Sequence, residues 1–362
     1  MASVAPFTSP DLNIYFQSNR ANVDNNAGSH LVQFIQAAKH SLDVAIYDLK
    51  EATVLSALKA ASTKVRLRIR YDGGTGAKIG ATSTTVDPKS PSGPFIKAAS
   101  LSKFAQPIHD TGRHLMHNKF IVRDGADVWT GSGNFTNGGL HLQDNNFLTI
   151  HGSAAAAAAY ANDFEALTKA GHVKTHTSGA SGKPASFNLG TAKVTLYFST
   201  QVIEGETIEM AVIKALAGAK KVRVIAMLVS DQGILQALHA LKAVDIKGIV
   251  DPHEMKQVMK PPKGQSKIPP FLFWFANGDP RFVAAPSHAF SKNDKNDFMH
   301  NKVLIIDDKT VVTGSYNFSE NAELNDENML IMESPNVAAA YTAYFDALFA
   351  QYKQHGAPLP PK

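Results

Sequence analysis

One pattern spread over eighteen positions occurs twice, and its copies stand 183 positions apart in a chain of 362 residues. The first copy is His117, Lys119, Asp124, Gly131, Ser132 and Asn134; the second is His300, Lys302, Asp307, Gly314, Ser315 and Asn317. A single matched position arises by chance about one time in twenty, so six at one offset exclude coincidence. The chain is therefore an internal duplication, and whatever one copy folds into, the other must fold into as well.

The duplication extends beyond the pattern. Leu12 to Phe16 matches Val194 to Phe198 in type and position, each alternating as a strand does. Helical stretches follow at Leu31 to His40 and Ile208 to Lys221, and each leads into an apolar strand, Leu42 to Tyr47 and Val222 to Leu228. A second helix and strand come next: Val54 to Ala61 then Val65 to Tyr71, and Ile234 to Lys242 then Ile246 to Val250. Strands alternating with helices predict an α/β layer in each half.

We therefore expect two α/β halves about a pseudo-two-fold axis, each a mixed β-sheet flanked by helices. The expected boundaries are 1–176 for the first half, 177–187 for a linker, 188–355 for the second half and 356–362 for a disordered tail. The linker reading rests on Thr175 to Ser186, rich in Ser, Thr and Gly; the tail reading rests on its three prolines. Two long irregular stretches, Gly73 to Ser92 and Met259 to Phe298, precede the two motifs and are expected to shape the substrate entrance.

Composition narrows the chemistry. With no cysteine there is no disulfide framework, thiolate nucleophile or cysteine zinc site. A net charge of +5, with the basic residues scattered, mildly favours an anionic substrate without naming one. The first twenty residues hold no apolar run of signal-peptide length, and no stretch reaches the roughly 18 consecutive apolar residues of a membrane span. A soluble chain is expected, cytoplasmic or secreted after removal of a leader.

Each motif reads as strand, tight turn and strand. Residues two apart share a strand face, so His117 and Lys119 point together, as do His300 and Lys302, while Phe120 and Val122, or Val303 and Ile305, face the core. Asp124 and Asp307 fall at the turns, where a carboxylate fixes backbone. Gly131 and Gly314 lack a Cβ, which would let an anion approach the backbone. Ser132, Asn134, Ser315 and Asn317 offer hydrogen-bond donors to phosphate oxygens, and Lys119 and Lys302 complete an electrostatic clamp. Farther on, Asp144-Asn145-Asn146 and Asp326-Glu327-Asn328 correspond, with one extra residue in the first half. A carboxylate there can orient a histidine by accepting from one ring nitrogen.

The spacing H-x-K, four residues, D, six residues, G-S-x-N resembles the HKD signature of the phospholipase D superfamily, and the resemblance covers almost the whole chain. It implies one shared active site at the interface of the halves and a ping-pong mechanism through a covalent phosphohistidine, with no metal and no cofactor. It carries over His117, Lys119, Ser132 and Asn134 with His300, Lys302, Ser315 and Asn317, plus Glu327 as a histidine-orienting acid. His117 is favoured as nucleophile and His300 as general acid/base. Asn145 stands opposite Glu327, a departure that leaves Asp144 as the candidate acid in the first half.

The expected substrate is a phospholipid head group at a membrane or micelle surface, with transphosphatidylation as an added possibility; the rival is nucleic acid, cut by a metal-independent endonuclease of the same superfamily. A binding protein with a relic site is disfavoured because both motifs keep every catalytic residue. A monomer with no obligate protein partner is expected. The segment Ile268 to Phe275, with aromatics at Phe271, Phe273, Trp274 and Phe275, is expected either to dip into lipid or stack on bases, or to be buried against the second half. His109, His114 and His117 form no metal-ligand pattern, Asp72 to Gly76 lacks the ending of a phosphate loop, and His253 and Glu254 have no partner at zinc spacing.

Overall fold

The computed structural model describes residues 4–75, 90–110, 114–173, 184–199, 207–241, 245–261, 268–276, 278–288 and 296–360. In the first half the elements are β1 (Phe7–Thr8), β2 (Leu12–Ser18), β3 (Val23–Asp24), α1 (Ala27–Gln36), β4 (Ser41–Ile46), α2 (Ala52–Ala61), β5 (Arg66–Asp72), α3 (Gly93–Ala98), β6 (Ala105–Ile108), β7 (Lys119–Arg123), β8 (Asp127–Gly131), β9 (Asn145–Ile150) and α4 (Ala154–Ala170). The second half gives β10 (Ala185–Leu189), β11 (Ala192–Phe198), α5 (Ile208–Leu216), β12 (Lys221–Ala226), α6 (Gln232–Ala240), β13 (Asp245–Val250), α7 (Pro252–Val258), β14 (Phe282–Ala284), β15 (Lys302–Ile306), β16 (Thr310–Gly314), β17 (Asn328–Glu333) and α8 (Pro335–His355).

The two sheets have the same strand order. The first runs β1-β2-β9-β8-β7-β4-β5-β6 and the second β10-β11-β17-β16-β15-β12-β13-β14. In each, the three strands at one edge run parallel, joined by helical crossovers, and the hairpin strands are antiparallel, giving the expected mixed sheet. The motif hairpins β7–β8 and β15–β16 sit in the middle, where strands are buried on both faces.

One hydrophobic cluster draws on both sheets and on the inner helices: Phe16, Phe120 and Val122 with Tyr160 and Phe164 of α4, and Val303, Ile305, Tyr341 and Phe345 from the second half with α8. The outer faces have separate cores, where α1 and α2 cover the first sheet and α5 and α6 the second. Alternation along β7 explains the layering: Phe120 and Val122 enter the shared core, whereas Ile121 faces the outer one.

Several expectations change. Residues 177–183 of the expected linker lie outside the described residues, and Ala185 to Phe187 belong to β10, where Phe187 and Leu189 turn inward between exposed Ser186 and Asn188. That period-two pattern is short enough to be masked by the polar run before it. The tail is held as far as residue 360: Ala357 bridges to Ala284 and Leu359 is buried in the second core, because proline excludes helix but not edge contact. Within the stretch from Met259 to Phe298, Pro270–Phe275 forms 3-10 turns. Leu272 and Phe275 are buried, and Trp274 lies against the His239 ring with Arg281 over its face. Leu272, Trp274 and Phe275 thus serve the second core, as the burial alternative expects, and the side chains of Phe271 and Phe273 lie outside what is described. No described helix is long and apolar enough to cross a membrane.

Candidate active site

Each motif aspartate ties its hairpin to the neighbouring strand. Asp124, at φ 54°, accepts backbone N–H bonds from Lys39, His40 and Ser41 at 2.9, 2.7 and 2.8 Å, where β4 begins. Asp307, at φ 52°, does the same for Lys220 and Lys221 at 2.7 and 2.8 Å, where β12 begins. A short carboxylate tolerates the left-handed turn and reaches donors that no strand partner would satisfy.

Just before β7 and β15 the chain crosses to the other half. The His117 N–H donates to the Asp326 carbonyl and the His300 N–H to the Asp144 carbonyl, both at 3.0 Å. Parallel bridges Met116–Asp326 and Asp144–Met299 accompany them. Each histidine is thus anchored by backbone of the opposite half, and so is its ring. Nδ1 of His117 stands 2.8 Å from both carboxylate oxygens of Glu327; Nδ1 of His300 stands 3.0 Å from Oδ1 of Asn145. Among the described residues no side chain hydrogen-bonds to either Nε2. Lys119 donates to the His117 carbonyl at 2.7 Å and Lys302 to the His300 carbonyl at 2.6 Å. Tyr47 packs edge-on to His117 and Phe298 edge-on to His300.

Asp144 does not fill the role expected of it. Its carboxyl accepts from Tyr352 Oη at 2.8 Å, away from His300, and burial pushes it up to about 7. The extra residue of the first half is absorbed in a wide π-helical turn at Gly138–Leu142, whereas the second half has a tighter 3-10 turn at Glu320–Leu324. Strand register is therefore kept, and Asn145 falls where Glu327 does.

The motif serines also differ from expectation. Ser132 Oγ donates to Asn145 Oδ1 at 2.8 Å and accepts from the Asn146 N–H at 3.0 Å; Ser315 Oγ accepts from the Asn328 N–H at 3.0 Å. Both are fully buried, so their hydroxyls fix the strand that carries the histidine partners instead of facing a ligand. Gly131 and Gly314, at φ 148° and 150°, leave no room for an anion either. A Cβ there would collide with the backbone carbonyls of Asn146 and Asn328, so glycine admits the adjacent strand. Asn134 and Asn317 are half-buried, and the Oδ1 of each is without a hydrogen-bond partner.

A buried asparagine network that sequence reasoning left without a role joins the halves. Asn328 Nδ2 donates to Asn118 Oδ1 and Asn146 Nδ2 to Asn301 Oδ1, both at 2.9 Å. Thr130 and Tyr160 donate to Asn328 Oδ1; Thr313 and Tyr341 donate to Asn146 Oδ1. The signal was present: Asn118 and Asn301, like Thr130 and Thr313, repeat at the motif's own 183-residue offset.

Electrostatically the site favours neutral rings. Burial lowers His117 to about 4, with Glu327 opposing and Lys119 adding to the fall. Burial, then Lys302, Lys119 and His117, hold His300 well below the usual histidine range. Burial also brings Lys119 down to about 7 and Lys302 well below its ordinary value, the latter with help from Lys119. Two buried lysines and two imidazoles thus converge, with the Glu327 carboxylate acting on His117 and both lysines.

A family model described as "Cardiolipin synthase, PLD-like domain" matches the chain twice, over residues 31–168 and 189–349. A curated phospholipase D of Rickettsia conorii is 51% identical over 43 residues, 12% of this chain and 22% of that protein; one of Rickettsia prowazekii is 49% identical over 43 residues, 12% and 21%. The chain thus spans about a fifth of the length of these curated relatives. Among solved structures, phosphatidylserine synthase from Haemophilus influenzae is 14% identical with a TM-score of 0.63, covering 96% of this chain and 87% of that one. Polyphosphate kinase from Porphyromonas gingivalis is 12% identical with a TM-score of 0.55, covering 92% and 50%. At these identities the two structures share the fold.

Proposed function

The chain belongs to the phospholipase D-like family of phosphodiester-acting enzymes, and from that premise we propose that it cleaves a phosphodiester through a covalent phosphohistidine on His117. The observation that carries this reading is the pair of buried histidines whose Nδ1 atoms are both held by the opposite half, leaving both Nε2 atoms to react. With Nδ1–H donated to Glu327, neutral His117 bears its lone pair on Nε2. That lone pair attacks phosphorus, the bond to the leaving oxygen breaks, and Nε2–H of protonated His300 supplies the proton. His300 then takes a proton from water, whose oxygen attacks phosphorus and returns the electron pair of the N–P bond to His117. The phosphorylated ring is cationic, and Glu327 is the counter-charge for it.

Lys119 and Lys302, with the amides of Asn134 and Asn317, would hold the non-bridging oxygens. A phosphodiester anion would offset the burial that holds the lysines and His300 low, and the repulsion from neighbouring lysines that adds to it at His300 and Lys302. No cofactor is required by these steps.

The substrate we favour is a phospholipid head group. The curated phospholipases D support it. The test is turnover in EDTA of phosphatidylcholine vesicles and of single- and double-stranded DNA, side by side, with His117→Ala and His300→Ala. Choline release lost in both variants is expected. DNA cleavage lost in both, with inert vesicles, would move the substrate to nucleic acid, and no loss in either variant would overturn the mechanism.

A further inference from the structure

We infer that Asn145 is a positioning residue for His300: it fixes the neutral ring as the Nδ1–H tautomer, with Nε2 toward the site, and leaves the protonated ring without a counter-charge. The inference rests on the two-histidine reading above and deepens it.

The direction of the amide settles the tautomer. Asn145 Nδ2 donates to the Gly139 carbonyl at 2.9 Å and to Gln143 Oε1 at 3.2 Å, so its NH2 is committed to two acceptors. Its Oδ1 faces the other way, accepting from Ser132 Oγ at 2.8 Å and meeting His300 Nδ1 at 3.0 Å. An amide oxygen can only accept, so Nδ1 must carry the hydrogen. The ring also meets the backbone of Ser132, a contact that favours its protonated form. Asn145 is itself fully buried, which leaves the amide no water to turn toward.

The second consequence concerns acidity. His117 faces a carboxylate at the same position where His300 faces a neutral oxygen. The titratable groups acting on His300 are Lys302, two residues further on, and Lys119 and His117 from the other half, none of them an anion; Glu327 and Glu254 act on Lys302. An imidazolium with no counter-charge gives up its proton readily, which suits a group that protonates a departing alkoxide. The duplicated fold thus places a basic ring and an acidic ring in equivalent positions by one exchange of carboxylate for amide.

Two measurements on the full-length protein test this. In wild-type protein with 15N-labelled histidine, assigned by the signal lost in His300→Gln, neutral His300 is expected to show a protonated Nδ1 and a bare Nε2. The opposite tautomer would overturn the inference without any variant of Asn145. In Asn145→Asp, the alkaline limb of kcat/KM for phosphatidylcholine is expected to move up by about 1–3 pH units, as an added carboxylate in contact with an imidazolium does. A limb that stays put in a folded variant would refute the acidity argument. Mapping the trapped phosphoryl group separates the two levels: label on neither histidine would sink the proposed mechanism while leaving the tautomer result standing.

Discussion

Replacing Asn328 by alanine tests whether the two halves are held by their buried polar pairs. Asn328 is fully buried; it donates to Asn118 Oδ1 at 2.9 Å and accepts from Thr130 Oγ1 at 3.1 Å and Tyr160 Oη at 3.3 Å. Alanine strands three polar groups, each costing about 1–3 kcal/mol when buried unpaired. Some relief comes from rotation of the hydroxyls, so about 4 kcal/mol is expected, a large part of the roughly 5–15 kcal/mol that holds a domain folded. These three partners lie in the first half although the substitution lies in the second, where Asn328 Nδ2 also reaches Ser315 Oγ at 3.4 Å. The chain has two tryptophans, Trp129 in the first half and Trp274 in the second, so urea unfolding followed by fluorescence in Trp129→Phe and Trp274→Phe backgrounds reports each half separately. Both transitions should shift together, and a cycle with Thr130→Val should show coupling of about 0.5–3 kcal/mol. A Trp129 transition unmoved by Asn328→Ala would refute the cross-half network.

Two further predictions concern charge. Burial brings Lys119 down to about 7, and a bound anion would restore its proton; tungstate or phosphate affinity, read by calorimetry in buffers of differing ionisation heat, should weaken as pH rises through about 7, with proton uptake on binding. Affinity and proton count that do not vary with pH would contradict this. Burial raises Asp144 to about 7, so the folded state holds a proton that the unfolded chain has released, and this group lowers stability by about 1.4 kcal/mol per unit as pH climbs from its ordinary carboxylate range toward 7. Asp144→Asn should abolish that slope in urea unfolding and keep turnover, whereas a loss of turnover matching that of His300→Ala would return Asp144 to the histidine.

The repeat made the fold legible because strand and helix order could be read twice, each half correcting the other. What it hid were helix ends. The first helix, expected at Leu31 to His40, ends at Gln36, and the one expected at Ile208 to Lys221 ends at Leu216. Beyond the second end, Gly218 at φ 75° is a local stop that the sequence itself carries. Beyond the first, Ala37 to His40 are adequate helix formers and leave the helix because Lys39, His40 and Ser41 must present their N–H groups to Asp124. That is a tertiary demand, invisible to local propensity. The site was legible in its residue types but not in their orientation. Ser132 and Ser315 look like phosphate donors until the adjacent strand is seen to use them, and Asp144 looks like the missing acid until the wide turn at Gly138–Leu142 restores the register.

The exchange of partners between halves also bears on why the two copies share one chain. The hydrogen bond to each histidine Nδ1 crosses the interface: Glu327 serves His117, Asn145 serves His300, and the asparagine pairs run Asn118–Asn328 and Asn146–Asn301. A two-fold dimer of a single half could make all of these contacts, but symmetry would give both histidines the same partner. Two identical rings then have to divide the roles of nucleophile and acid through substrate binding alone, as coupled groups sharing one proton. In a fused chain position 145 and position 327 vary independently. Under the proposed mechanism a carboxylate remains where a cationic phosphohistidine would be stabilised while an amide occupies the other position, where a cation would be kept acidic, so the division of labour would be built in before substrate arrives.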